Sequence, residues 1–104
     1  MNDINMYQHI ATEYAVYEHS MYPKVSLLIE SAELCDLFVK PELRGDDQVA
    51  TRNEIISEAG DVLWNLAVLL ESENILLSEV AEYNLQKLDD RKERGVLKGS
   101  GGDR

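Results

Sequence analysis

Two pairs of acidic residues have the spacing of neighbours on a helix. Glu30 and Glu33 form one pair and Glu58 and Asp61 the other, each separated by three positions. Residues three apart lie on the same face of a helix, one turn from each other. If the two helices face each other, the four carboxylates form an oxygen-only cage of the kind that Mg²⁺ prefers. The alternative for each pair is a solvated acidic face, because an acidic chain produces such spacings by chance.

The context of the second pair favours a functional role. Glu54, Glu58, Asp61 and Asn65 follow one another at spacings of four, three and four, and a nearly apolar run occupies 62–70. A helix that is apolar on almost all sides is usually buried. Buried carboxylates are costly unless they are paired or bind a metal. The stripe therefore predicts a metal site, although Glu54 is equally well explained as an outer ligand, a base or a surface acid.

Other metal chemistries lack their ligands. A di-iron bundle needs Glu-x-x-His on two helices, but Met6 and Val16 stand three residues before His9 and His19. One cysteine cannot build a structural zinc site. Clustered carboxylates repel one another without a cation, so we expect Mg²⁺ or Mn²⁺ to stabilise the protein.

Four helices must position these residues. Hydrophobic spacing predicts them at about 3–20, 24–39, 49–73 and 78–94, with Asn2-Asp3 capping the first and Ser78 the fourth. Pro23 is expected to separate the first two, and Pro41 to end the second, because the residue before proline disfavours helix. The prediction is an all-α domain over 1–94, a four-helix bundle, followed by a Gly-rich basic tail at 95–104.

Composition limits the remaining classes of function. The 104 residues make one domain with a net charge of −10, divided into −12 over 1–86 and +2 over 87–104. A nucleic-acid duplex would demand a basic face, so none is expected as a partner. The longest nearly apolar run is too short to span a membrane, and the first residues do not read as a signal peptide. With the single Cys35, this predicts a cytoplasmic protein.

Taken together, the motifs resemble those of the MazG-like all-α nucleoside triphosphate pyrophosphohydrolases. The two acidic pairs have the family's order, and the stretch at 58–64 is similar to its acidic–x–Gly–Asp–Val–Leu–Trp sequence. The stretch at 84–91 is similar to its Asn-x-x-Lys-Leu-x-x-Arg helix, and 94–104 to the tail of its short phage and bacterial members. Two departures are bulkier residues before and within the first pair, and Lys40-Pro41 in place of a Lys-Lys pair.

The resemblance implies a reaction and a set of site residues. The family hydrolyses an NTP or dNTP between the α- and β-phosphates, releasing a monophosphate and pyrophosphate. Mg²⁺, with Mn²⁺ as a substitute, would be held by the carboxylates that also serve catalysis: Glu30, Glu33, Glu58 and Asp61. The expected substrate-binding residues are Asn84, Lys87, Arg91, Lys98 and Arg104. The helical spacing of Lys87 and Arg91 is equally typical of a basic helix end that complements the helix dipole.

Association between copies is also expected, because a chain of this size leaves apolar surface uncovered and the family forms dimers or tetramers. Trp64 and the tyrosines of the first helix, Tyr7, Tyr14 and Tyr17, are assigned to packing. If the chain is phage-encoded, the compartment is the host cytoplasm.

Two other hypotheses remain open. One is an enzyme of the same fold acting on dUTP, a phosphoribosyl-linked nucleotide or an alarmone. The other is a non-catalytic helical protein that oligomerises through its long apolar helix.

Overall fold

The computed structural model describes residues 3–16, 21–44 and 49–95, and within these ranges the chain forms four α-helices and no strand. Helix α1 spans Ile4–Glu13, α2 spans Tyr22–Arg44, α3 spans Arg52–Ser72 and α4 spans Leu77–Glu93. The predicted all-α fold is confirmed.

Helix α1 is shorter than its hydrophobic spacing predicts. It begins as expected, because the Asp3 carboxylate accepts a hydrogen bond from the backbone N–H of Met6 at 2.7 Å. It ends at Glu13, and both Tyr14 and Val16 are exposed. Packing rather than propensity supplies most of a helix's stability, and these two exposed side chains contribute little packing. Tyr17 lies outside the described residues.

Both prolines lie inside α2, so the predictions of a break at Pro23 and an end at Pro41 are wrong. Pro23 is in the first turn, where a backbone N–H has no partner within the helix and proline costs little. Pro41 removes one hydrogen bond near the end of the helix. The turn before it is stabilised by a salt bridge between Lys40 and Asp36, with a nitrogen–oxygen distance of 3.0 Å.

Helix α3 begins with a reciprocal cap. The Thr51 hydroxyl accepts from the N–H of Glu54 at 3.1 Å, and the Glu54 carboxylate accepts from the N–H of Thr51 at 3.2 Å. After α3 the chain turns through Asn74, whose φ of 57° lies in the left-handed region that Asn tolerates. This turn leads directly into α4.

Side chains of α1 satisfy the first N–H groups of α4, so the prediction that Ser78 caps this helix is wrong. Gln8 Oε1 accepts from the N–H of Leu77 at 2.8 Å, and Asn5 Oδ1 accepts from the N–H of Ser78 at 3.0 Å. Asn5 Nδ2 also donates to the Ser78 hydroxyl at 2.8 Å. The predicted end of α4 is confirmed, since Arg94 is its C-cap and Gly95 follows with φ of 74°.

The helices form an open arrangement. Helices α2 and α3 make the most extensive contact, and α1 packs on α3 and on α4, whereas α2 and α4 make no extensive contact in the described part of the chain. The radius of gyration is 16.4 Å, whereas a compact domain of this length has about 13 Å. Among the described residues, the buried hydrophobic core consists of Ala11, Ala67, Val68 and Leu77.

Candidate metal centre

The contact between α2 and α3 brings three of the four predicted carboxylates together. Each of Glu30, Glu33 and Glu58 offers one carboxylate oxygen, and these three oxygens lie within 4.8 Å of one another. Glu30 and Glu33 are one turn apart on α2, and Glu58 belongs to the second turn of α3. The spacing in the sequence therefore does bring carboxylates from two helices together.

The surroundings of this cluster disfavour the ionised form of Glu30. Burial raises the pKa of Glu30, and the hydrogen bond and charge of Glu33, followed by the charges of Asp61 and Glu58, raise it further. Glu30 Oε2 and Glu58 Oε2 are also buried with no hydrogen-bond partner among the described residues. Buried oxygens without partners are costly. The donor set and the unpartnered oxygens fit a hard divalent cation such as Mg²⁺.

Asp61 lies beside this cluster but outside the group of three. It follows Glu58 by one turn on α3, its side chain is exposed, and its charge contributes to the raised pKa of Glu30. Asn65 lies one turn further and is buried, with Nδ2 donating to the Asp61 carbonyl at 2.9 Å. Asn65 Oδ1 is a third buried oxygen with no partner in the described ranges.

The structure gives Glu54 a capping role and Trp64 a packing role. Glu54 caps α3 through Thr51, which explains it without any part in the metal site. Trp64 is half-buried, and its indole N–H donates to the Ala11 carbonyl at 2.9 Å, so it joins α3 to α1 as the packing assignment predicts.

Nothing in the spacing of the residues predicts that Tyr7 lies near the carboxylates. Burial raises the pKa of Tyr7, and the charge of Asp61 raises it further. Tyr7 also lines an apolar pocket of about 370 Å³ together with Ile10, Ala11, Tyr14 and Trp64. The signal in the sequence was only a tyrosine at helical spacing, which is as typical of packing as of a binding site.

The candidate phosphate-binding residues of α4 belong to a different cavity. Asn84 and Lys87 line a space of about 400 Å³ with Ile75, Glu79, Val80 and Tyr83, and none of the four acidic residues contributes to it. Lys87 Nζ lies 5.9 Å from the centre of the Tyr83 ring, within reach of a cation–π contact. Arg91 is half-buried on the same helix. Lys98 and Arg104 lie outside the described residues.

None of the helices in the described part of the chain is both long enough and apolar enough to cross a membrane.

Comparison with known proteins identifies the family of the chain. A family model described as the MazG nucleotide pyrophosphohydrolase domain matches residues 20–96, which include all four carboxylates and the α4 residues. The chain is also 36% identical over 113 aligned positions to the Gene 37 protein of Mycobacterium phage L5, covering 97% of this chain and 98% of the relative. No solved structure gives a significant match. With its acidic cluster held between α2 and α3, this all-α chain belongs to the MazG nucleotide pyrophosphohydrolase domain family.

Proposed function

We propose that the protein is a Mg²⁺-dependent nucleoside triphosphate pyrophosphohydrolase that converts an NTP or dNTP into the monophosphate and pyrophosphate. The observation that carries this proposal is the group of Glu30, Glu33 and Glu58, whose oxygens lie within 4.8 Å of one another in a chain of this family. Mn²⁺ is expected to replace Mg²⁺, because both accept oxygen ligands.

The four acidic residues have two tasks in this reaction: they hold the cation and they activate water. Glu30, Glu33, Glu58 and Asp61 would hold the cation, which neutralises phosphate charge when bound. A carboxylate of this group would also orient the attacking water and accept its proton, which is general base catalysis. Water adds to one of the two phosphorus atoms joined by the oxygen between the α- and β-phosphates, the bond from that phosphorus to the bridging oxygen breaks, and the monophosphate and pyrophosphate separate.

Positive charge for the phosphates is proposed to come from α4 and the tail. Asn84, Lys87 and Arg91 share one face of α4, and Lys98 and Arg104 follow in the sequence. Arginine can bind two phosphate oxygens at once, and lysine contributes a point charge. We also propose a homodimer or a tetramer, supported by the absence of an extensive contact between α2 and α4 within the described chain. A second copy would supply the apolar cover and the basic helix that one copy does not bring to its own carboxylates.

The compartment proposed for this activity is the cytoplasm, or the host cytoplasm if the chain is phage-encoded. The single cysteine and the similarity to a phage protein support it.

The experiment is a panel of NTPs and dNTPs with and without Mg²⁺, with products separated by ion exchange. We expect monophosphate and pyrophosphate in equal amounts, and no turnover in EDTA. Glu58→Gln should lower kcat by about 100-fold or more while the helical circular dichroism is kept. Glu71→Gln, on the same helix but outside the cluster, is the matched control and should behave like the parent protein.

Other results would identify the alternatives. Diphosphate as product, or full activity in Glu58→Gln, contradicts the proposal. Turnover restricted to dUTP, a phosphoribosyl-linked nucleotide or an alarmone would indicate a same-fold hydrolase with another substrate. No turnover with any of them would favour the non-catalytic oligomerisation protein.

A further inference from the structure

Helix α4 is attached to the rest of the described chain at its first residues. Leu77 begins the helix and is 6% exposed, and it is the residue of α4 that the structure buries. Within the described chain, α4 makes an extensive contact with α1 but not with α2 or α3. The direction in which α4 extends is therefore set near its N-terminus, by α1.

Two amide side chains of α1 hold this end of α4. Asn5 forms a reciprocal pair with Ser78, because its Nδ2 donates to the hydroxyl at 2.8 Å and its Oδ1 accepts from the N–H at 3.0 Å. Gln8, which is fully buried, accepts from the N–H of Leu77 at 2.8 Å. A cap supplied by a neighbouring helix fixes the direction of α4 relative to that helix, which a cap from its own preceding residue does not.

The basic residues of α4 lie far from these two points of attachment. Lys87 follows Ser78 by nine residues and Arg91 follows it by thirteen, which correspond to about 14 and 20 Å along the helix axis. A change of about 10° in the direction of α4 therefore moves Lys87 by about 2 Å and Arg91 by about 3 Å. A misplacement of about 1 Å can cost an enzyme about 100-fold in rate.

We propose that Asn5 and Gln8 are positioning residues for the reaction, which fix the direction of α4 and thereby place Lys87 and Arg91 against the phosphates of the substrate. This inference rests on the proposed function. It assigns a role to α1, which lies outside the residues 20–96 matched by the family model. The role is the same whether α4 serves the carboxylates of its own copy or those of a second copy.

Asn5 is the better residue to change, because it is half-buried whereas Gln8 is fully buried. Asn5→Ala removes both hydrogen bonds to Ser78. Asn5→Asp keeps them, since one carboxylate oxygen can accept from the Ser78 N–H and the other from its hydroxyl. A negative charge is also favourable near a helix N-terminus. His9→Ala, which removes an exposed side chain of the same helix, is the matched control.

Inorganic pyrophosphate, a product of the proposed reaction, probes the phosphate-binding residues without turnover. In isothermal titration with Mg²⁺, Asn5→Ala should weaken its binding about 5- to 50-fold, whereas Asn5→Asp and His9→Ala should match the parent protein. In a protein that already carries Lys87→Ala, the further loss caused by Asn5→Ala should be smaller, because Asn5 acts partly through Lys87. An unchanged affinity in Asn5→Ala, or the full loss repeated in the Lys87→Ala protein, overturns the inference. If Asn5→Ala does not fold, Ser78→Ala takes its place, with a smaller loss expected because one hydrogen bond remains.

A distance measurement tests the geometry without any ligand. Cys35 on α2 is exposed and is the single cysteine, so Glu82→Cys on the exposed side of α4 adds a second site for a spin label. Pulsed electron paramagnetic resonance, with labelled protein diluted in unlabelled protein, gives the distances between α2 and α4. We expect a narrow distribution in the parent and in His9→Ala, and a broadened or displaced one in Asn5→Ala. Identical distributions in all three overturn the inference.

Turnover distinguishes this inference from the proposed function. In an active protein, the KM for the nucleotide should rise about 5- to 50-fold in Asn5→Ala and return to the parent value in Asn5→Asp. An unchanged KM overturns the role of Asn5 even if the protein is a pyrophosphohydrolase. If the parent protein binds pyrophosphate but hydrolyses no nucleotide, the proposed function fails, and the pyrophosphate affinities still decide whether Asn5 positions the basic residues.

Discussion

Gln8 is the fully buried polar side chain on which three elements of the chain converge. Its Nε2 donates to the carbonyls of Ala67 and Ile75 at 3.2 and 2.9 Å, and its Oε1 accepts from the N–H of Leu77 at 2.8 Å. One amide group therefore joins α1, the end of α3 and the start of α4. All three partners are backbone groups, so the Gln8 amide satisfies polar groups of the main chain between α3 and α4.

Gln8→Ala should therefore lower the free energy of unfolding by about 2–5 kcal/mol, because it leaves buried backbone groups unpaired. Urea denaturation measures the change. His9→Ala, an exposed neighbour on the same helix, is the control and should have little effect. Equal stability of the two variants would contradict a stabilising role for the hydrogen bonds of Gln8.

Glu30 gives a prediction about pH. Burial and the neighbouring acids raise its pKa above the ordinary value of 4.5. The folded protein therefore holds this proton more tightly than the unfolded chain does. The resulting contribution to stability is fully present below pH 4.5 and is lost as the pH rises through the folded-state pKa.

Glu30→Gln should thus raise the melting temperature of the metal-free protein at pH 7, with little effect at pH 4. Mg²⁺ should stabilise the parent protein more than this variant, because the variant lacks one ligand. Thermal unfolding in EDTA and in Mg²⁺ measures both effects. Glu82→Gln, exposed on α4, corrects for the change in net charge. If Glu30→Gln instead lowers the melting temperature of the metal-free protein at pH 7, the inferred cost of ionising Glu30 in the cluster is contradicted.

At the scale of the element, Gly60 stands in the middle of α3 between Glu58 and Asp61. It is exposed, and a Cβ added there would meet no atom within 4 Å. Glycine in a helix interior is destabilising relative to alanine. Nothing within the described part of one chain requires glycine at this position.

Gly60→Ala should therefore stabilise a single chain by about 0.5–1 kcal/mol. Urea denaturation at low protein concentration tests this. A loss of stability that grows with protein concentration would mean that a second copy packs closely against this face.

At the scale of the whole molecule, the fold leaves much apolar surface uncovered. Leu28 on α2 is 74% exposed and Leu85 on α4 is 66% exposed, and Phe38 and Ile56 are also exposed. A radius of gyration of 16.4 Å agrees with this open shape. Large exposed apolar areas mark interaction surfaces in soluble proteins.

Light scattering at micromolar concentration should therefore return at least twice the chain mass of 11.8 kDa. Burial of these side chains between copies is the physical reason. A mass near that of one chain across the concentration series would contradict the proposed oligomer.

The sequence by itself determined the four helices, the cap at the start of α1 and the face on which the acidic residues lie. These features follow from hydrophobic periodicity, capping chemistry and spacing, which are local. Tertiary structure decided where the helices end and which residues meet. Helix α2 continues through Pro41, and α1 ends at Glu13, before residues whose side chains are exposed. Asn5 and Gln8 of α1 cap α4. Tertiary structure also selected Glu30, Glu33 and Glu58 as the close group and brought Tyr7 towards Asp61. These outcomes depend on contacts between residues distant in sequence, and such contacts leave no periodic signal in the chain.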